Sequence, residues 1–235
     1  WETPVTQLWH DINLHQITRG VNRFKALALA LRAVNDKYIP IDGLADLEAW
    51  VSSGSTLSGN ALEIFAANSH SEALKKALLW TEMVNEKIDL IPLADKKPFP
   101  GAAQGLKAAS KFADIAVIST ANRAALLEEW GEYALLDYAD VILAQDSGSK
   151  EHCISELLKK GYHKSHVLMV GDAPGDMDAA KQNEVYFYPM LCGHEEECWA
   201  ELNSTGYEKL QSAAYDSYEM IRVNAFFQNL NVRHI

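Results

Sequence analysis

Three apolar runs each end in polar residues that could do chemistry. Val167-Leu-Met-Val170 passes straight into Gly171-Asp172-Ala-Pro-Gly-Asp176, setting two acids four residues apart around a tight Gly/Pro turn. Clustered carboxylates repel unless a cation joins them. Mg²⁺ prefers oxygen ligands, keeps several waters, and needs only one or two protein carboxylates. Asp172 and Asp176 are therefore candidate metal ligands, although a turn acid and a helix N-cap would use the same letters. Ile115-Ala-Val-Ile118 ends in Ser119-Thr120, with Asn122 and Arg123 where a helix should begin. Hydroxyls and helix-start N–H groups make a small anion site; Ser119, Thr120 and Asn122 are also good caps. Val141-Ile-Leu-Ala144 leads through Gln-Asp-Ser-Gly-Ser149 to Lys150, again at an expected helix start. A cation there opposes the helix dipole, so Lys150 is either a solvated charge or a group with a task, such as neutralising phosphate.

The elements that must position these residues follow from the apolar patterning. Ile115–Ile118, Val141–Ala144, Val167–Val170 and Val185–Tyr188 do not alternate with polar residues. Both faces should be buried, as in a parallel sheet covered by helices. Helical stretches lie between them, long enough for parallel crossovers. Residues 95–235 are thus expected to form an α/β domain with a doubly wound parallel sheet, where ligands bind beyond the carboxyl ends of the strands. Residues 1–94 read as helical. Val21, Phe24, Leu27, Leu31 and Val34 keep helix spacing. Further helices are expected from Asp42 to Val51, from a Ser58 cap to about Ala67, and after Ser69, which with Glu72 has capping-box spacing. Asp95-Lys-Lys-Pro-Phe-Pro-Gly101 has the composition of a linker.

Taken together, the order hydroxyl, lysine, then Gly-Asp-x-x-x-Asp, each just after a strand, resembles the haloacid dehalogenase superfamily. Ser119 matches its second motif, Lys150 its third, and Asp172 with Asp176 its fourth. The approach Lys97-Pro-Phe-Pro-Gly-Ala-Ala-Gln-Gly-Leu106 is similar to the return from a helical cap to the core in many members. The resemblance covers about residues 95 to 195. It implies a Rossmann-like core with an α-helical cap domain, and a Mg²⁺-dependent phosphatase acting on a small phosphorylated metabolite through an aspartyl-phosphate. In that scheme Asp172 holds Mg²⁺ and Asp176 supports it. Ser119 donates to a phosphoryl oxygen, and Lys150 pairs with the phosphate and the nucleophile. Thr120 and Asn122 belong to the substrate-binding turn. Dehalogenases share the fold but need no metal, so the paired acids favour a phosphatase.

The family's first motif, Asp-x-Asp after an N-terminal apolar strand, does not occur here. Trp1 to Asp11 is no such strand, and Asp176-Met-Asp178 already belongs to the fourth motif. The expectation is that the first strand lies upstream of Trp1. It would sit between the strands ending at Ser119 and Asp172, which then should not pair directly. A replacement strand from Thr3 to Trp9 is disfavoured by Pro4. The competing reading is a non-catalytic binding or regulatory module lacking the nucleophile.

Composition narrows the partners. With 32 acids against 21 bases the net charge is −11, and no Lys/Arg-rich run occurs, which disfavours nucleic acid and anionic membranes. No apolar stretch is long enough to span a membrane, and no secretory leader opens the chain. Cys153, Cys192 and Cys198 are an odd number without metal-site spacing, so reduced thiols and a cytoplasmic location are expected. His10, Asp11 and His15 have the letters of His-Asp phosphohydrolases but not the further ligands. Arg19 and Arg23 share a helix face if Thr18 or Gly20 opens a helix, where they could read a leaving group or simply be solvated. Trp9, Trp50, Trp80, Trp130 and Trp199 read as packing residues.

Overall fold

A computed structural model describes residues 3–92 and 95–230. The chain forms two compact units that divide between Asp95 and Lys96. The first is helical among its described residues: α1 (Pro4–His10), α2 (Arg23–Lys37), α3 (Leu44–Val51), α4 (Gly59–Ala67) and α5 (Glu72–Asp89). Their apolar faces meet in a core of Phe24, Leu47, Trp50, Leu62 and Leu74. Phe24 packs edge-on against Trp50 and Trp80, and Trp80 against Trp9.

Local chemistry decides where these helices begin. Thr3 caps α1, its hydroxyl accepting the N–H of Thr6, and Pro4 takes the first turn, where a missing N–H costs nothing. Thr3 to Trp9 is therefore helix and cap, and supplies no replacement strand. Ser58 caps α4 through the N–H of Ala61. The expected Ser69 capping box is not formed. The Ser69 hydroxyl accepts the nearby N–H of Ser71, and α5 starts two residues later than a Ser69 cap would set it, at Glu72. Neither Thr18 nor Gly20 opens α2. Asn22 does, accepting the N–H of Phe24 at 2.9 Å, so Arg19 lies outside the helix and does not share a face with Arg23. Arg23 instead donates to Thr81 and Asn85 within the same unit.

The second unit alternates helix and strand: α6 (Ala102–Ala109), β1 (Ala116–Ile118), α7 (Arg123–Glu132), β2 (Val141–Leu143), α8 (Lys150–Leu158), β3 (Leu168–Gly171), α9 (Pro174–Asn183) and β4 (Tyr186–Pro189), then α10 (Glu195–Glu201), α11 (Tyr207–Gln211) and α12 (Tyr215–Asn229). All pairing is parallel, so this is an α/β unit. It contains two small sheets where one doubly wound sheet was expected. β1 pairs with β2 from Ala116↔Val141 to Ile118↔Leu143, and β3 with β4 from Leu168↔Tyr186 to Gly171↔Pro189. Among the described residues no backbone hydrogen bond joins β1 to β3. Side chains connect the two pairs. α8 packs on α9 through Ile154, Ala179 and Ala180, in a cluster that also takes Ile118 of β1 and Met169 of β3. Asn183 on α9 donates to the carbonyl of Glu151 on α8 at 3.0 Å.

The outer edge of β4 is closed. Tyr186 and Met190 donate inward to Val167 and Gly171 of the β3 side. Phe187 donates outward to the Glu219 carboxylate of α12 at 2.7 Å, and Pro189 has no N–H to offer. Burial holds the Glu219 carboxyl above its ordinary pKa, with the Asp216 charge adding to the effect. A raised folded-state pKa means stability that is full below the unfolded value, about 4.3, and is lost as pH rises through the folded one. Glu219→Gln keeps an acceptor for Phe187 and removes the charge. It is expected to lose less stability than the parent between acid and neutral pH. Thermal melts across that range check this, and parallel curves for the two proteins would exclude it.

Behind β4 lies a core rich in tyrosine: Tyr188, Tyr207, Tyr215 and Tyr218 are buried together with Met190, Cys198 and Leu202. The Tyr188 hydroxyl donates to the carbonyl of Cys198 at 2.7 Å, and the Arg222 guanidinium lies 5.0 Å from its ring centre. Trp199 presses against α6, where a Cβ on Gly105 would meet the indole at 2.4 Å. Cys153, Cys192 and Cys198 are free thiols. Among the described residues no helix is long and apolar enough to cross a membrane.

Candidate functional site

Lys150, Asp172 and Asp176 come together at the carboxyl ends of β2 and β3. Asp172 follows β3 directly and is exposed, whereas Asp176, in the first turn of α9, is 1% exposed. One Asp176 oxygen takes the Lys150 ammonium as an ion pair. The other accepts the backbone N–H groups of Asp172 at 3.1 Å and Ala173 at 3.0 Å. A buried carboxylate is tolerated only when paired and hydrogen-bonded, and here both oxygens are engaged. The turn is built around that approach. A Cβ on Gly171 would lie 2.4 Å from the Asp176 carboxyl carbon, so any other residue there would displace the acid.

Lys150 is the first residue of α8. The Ser149 hydroxyl caps the helix by accepting the N–H of His152, and Gly148 at φ +98° makes the preceding turn. The sequence puzzle of a cation at a helix start is resolved by Asp176, which offsets the opposing dipole. At the end of β1, the half-buried Ser119 donates its N–H to Leu143, extending the β1–β2 ladder. Its hydroxyl accepts the N–H of Ala121 at 3.1 Å. Asn122 caps α7 through the N–H of Ala124, and Thr120 is exposed in the same turn. Ser119 and Asn122 thus make local turn and cap bonds, while Lys150, Asp172 and Asp176 form the joined constellation.

Arg123 and Asp146 pair at the turn after β2 that leads to Lys150, a pairing not predicted from spacing. Arg123 is a second cation at a helix start, so the argument that singled out Lys150 applied equally to it. Its partner stands 23 positions away and only the fold brings them together. The Asp146 carboxylate beside it raises the Arg123 pKa, and the same hydrogen bonds hold the Asp146 carboxyl below its usual range.

The residues present suit a divalent cation unequally. Asp176 is committed to Lys150 and two amides, which makes it a brace for the lysine. Asp172 is the exposed carboxylate at the strand end, and one carboxylate with waters is within what Mg²⁺ accepts. Among the described residues no group of three or more His, Cys, Asp or Glu side chains gathers as a metal cluster, the His10, Asp11 and His15 set included. The arrangement offers a paired ammonium, a turn with a hydroxyl, and an outward carboxylate on one side of a parallel α/β unit. That is suited to binding and polarising an anionic group.

A family profile described as haloacid dehalogenase-like hydrolase matches residues 54–188, more than half of the chain. No curated protein matches the chain. No solved structure matches it either.

Proposed function

The chain belongs to the haloacid dehalogenase-like hydrolase family, and on that premise we propose that it is a Mg²⁺-dependent phosphatase acting on a small phosphorylated metabolite, with the helical first unit as its cap. The observation that carries this reading is the joining of Lys150, Asp176 and Asp172 at the strand ends of two parallel pairs that do not pair with each other. A half-buried lysine paired with a buried carboxylate at such a place supplies fixed positive charge for a phosphoryl group, and fixed charge is the largest contributor in sites of this kind.

In this reading a carboxylate nucleophile enters on a strand between β1 and β3. Alternation directs the N–H groups of Ala116 and Ile118, and of Leu168 and Val170, toward that position, because their neighbours bond to β2 and β4. Ile118, Leu168 and Val170 are only half-buried, unlike the middle of a finished parallel sheet. The carboxylate oxygen bonds to phosphorus as the ester P–O bond breaks, and the leaving alkoxide takes its proton from the second acid of the Asp-x-Asp carried by that strand. Water then cleaves the aspartyl-phosphate to inorganic phosphate and the regenerated acid. Lys150 holds the phosphoryl oxygens and the nucleophile, and Ser119 donates to a phosphoryl oxygen once its turn receives the substrate. Thr120 and Asn122 line that turn. Mg²⁺, held by Asp172, would counter charge on the transferring group. Free thiols at Cys153, Cys192 and Cys198 support a reducing, cytoplasmic setting.

Trapping tests the reading. The full-length polypeptide, incubated with p-nitrophenyl phosphate and quenched in acid, is expected to carry a hydroxylamine-labile phosphoryl group on an aspartate outside residues 3–230. A second reading is favoured by one observation: among the described residues no Asp-x-Asp follows a strand, since Asp176-Met-Asp178 lies in α9. Binding of inorganic phosphate without turnover or a trapped adduct would establish that binding module and end the phosphatase reading.

A further inference from the structure

We infer that Arg123 is a positioning residue: its guanidinium locks the turn after β2 so that Lys150 meets the phosphoryl group in one fixed place. This inference rests on the phosphatase reading for its kinetic consequence, but not for its structural one. Four hydrogen bonds leave this single side chain. Nε donates to one Asp146 carboxylate oxygen and Nη2 to the other, both at 2.8 Å. Nη1 donates to the carbonyl of Ile142 at 3.0 Å, and Nη2 also reaches the Ser147 hydroxyl at 3.3 Å. Ile142 is in β2, whereas Asp146 and Ser147 form the turn that follows it. The guanidinium therefore fastens the strand end and the turn together, from the first residue of α7. Lys150 stands three positions beyond Ser147, separated only by the positive-φ Gly148 and the capping Ser149.

The same turn is stitched to the Ser119 loop. Gln145 donates its N–H to the carbonyl of Ala121 at 3.1 Å, two residues past Ser119 and two before Arg123. On the other side, Cys153 of α8 donates to the Ser147 carbonyl at 3.5 Å, and Asn183 holds Glu151. The turns carrying Ser119 and Lys150 thus behave as one piece with Arg123 at its centre.

Stability alone does not account for Arg123. The Arg123 and Asp146 side chains are 40% and 59% exposed, where an ion pair without such a fork contributes little to folding. Asn122 already caps α7, and a cation in the first turn works against the helix dipole. What the fork adds is geometry: two parallel bonds to a carboxylate fix an orientation that a point charge cannot.

The experiment compares the parent, Arg123→Ala and Arg123→Lys in the full-length polypeptide, by amide hydrogen exchange and by turnover of p-nitrophenyl phosphate. Arg123→Ala is expected to speed exchange across residues 145–152 and leave β3 and β4 unchanged. kcat should fall by up to about 10²-fold, the scale of a small misplacement of a reacting group. Millimolar guanidinium should restore part of it. Arg123→Lys should behave like Arg123→Ala. Unchanged exchange in 145–152 overturns the clamp. Loosened exchange with parental kcat, or a fully active Arg123→Lys, overturns its positioning role. A parent that turns over no phosphate ester refutes the phosphatase reading instead, and the exchange comparison then decides the clamp by itself.

Discussion

Replacing Lys150 by Met in the full-length polypeptide is expected to lower kcat toward a phosphate monoester by about 10²–10³-fold, the usual loss for one preorganised charge-stabilising group. The ammonium is held by a carboxylate that two amides also fix, so it pays little reorganisation when an anion arrives. Removing it also leaves Asp176 buried without its cation, and breaking such a pair destabilises. Lys150 is 27% exposed, which moderates that cost, but melting must be measured alongside turnover. Asp172→Asn tests the other group. Asp172 is exposed, and the substitution keeps the backbone N–H that Asp176 accepts. That variant should lose turnover entirely, because its amide replaces the carboxylate proposed to hold Mg²⁺, and its melting is measured in the same way. Parental kcat in both variants would remove Lys150 and Asp172 from the chemistry.

The second large effect concerns the two inner strand edges. In the polypeptide of residues 1–235 by itself, the amides of Leu168 and Val170 should exchange quickly, while Met169, directed at β4, is protected. In a polypeptide that carries the nucleophile strand proposed above, the same two amides should slow by on the order of 10³-fold, because core strands exchange only through openings that cost several kcal/mol. Ala116 and Ile118 should slow with them. Buried N–H and C=O groups are almost always paired, so a strand entering between β1 and β3 would satisfy both edges at once. Leu168 and Val170 remaining fast in that polypeptide would show that no strand enters.

The strands were legible because each is a short continuous run of apolar residues between turn signals. The runs at 115–118, 141–144, 167–170 and 185–188 fall within one residue of β1 to β4. That β1 and β3 would not pair directly was anticipated only through the family resemblance, since periodicity says nothing about which strands are neighbours. Helix starts were legible where one hydroxyl had one helix to cap, as at Ser58. They failed where a nearby alternative existed: the Ser69 hydroxyl accepts the N–H of Ser71 outside α5, and Asn22, two residues past Gly20, caps α2. In the site, the Lys150 and Asp176 pairing was readable as two anomalies, a cation at a helix start and an acid in a tight turn. The Arg123–Asp146 fork was not, because nothing in a sequence couples positions 23 apart in neighbouring loops.

The tyrosine-rich core of the second unit gives it a chemical weakness that the first unit lacks. Burial pushes the Tyr207 and Tyr218 hydroxyls up to about 12, and those of Tyr188 and Tyr215 further still. In an unfolded chain the same phenols ionise near 10. Their contribution to stability is full below that value and drains away above it, as the unfolded state sheds protons that the folded state retains. Alkali is therefore a selective denaturant of this unit: phenolate appears only as the core opens, so ionisation and unfolding become a single cooperative event. The large buried aromatics of the first unit, Phe24 and Trp50, have no proton to lose, and its core is indifferent to hydroxide.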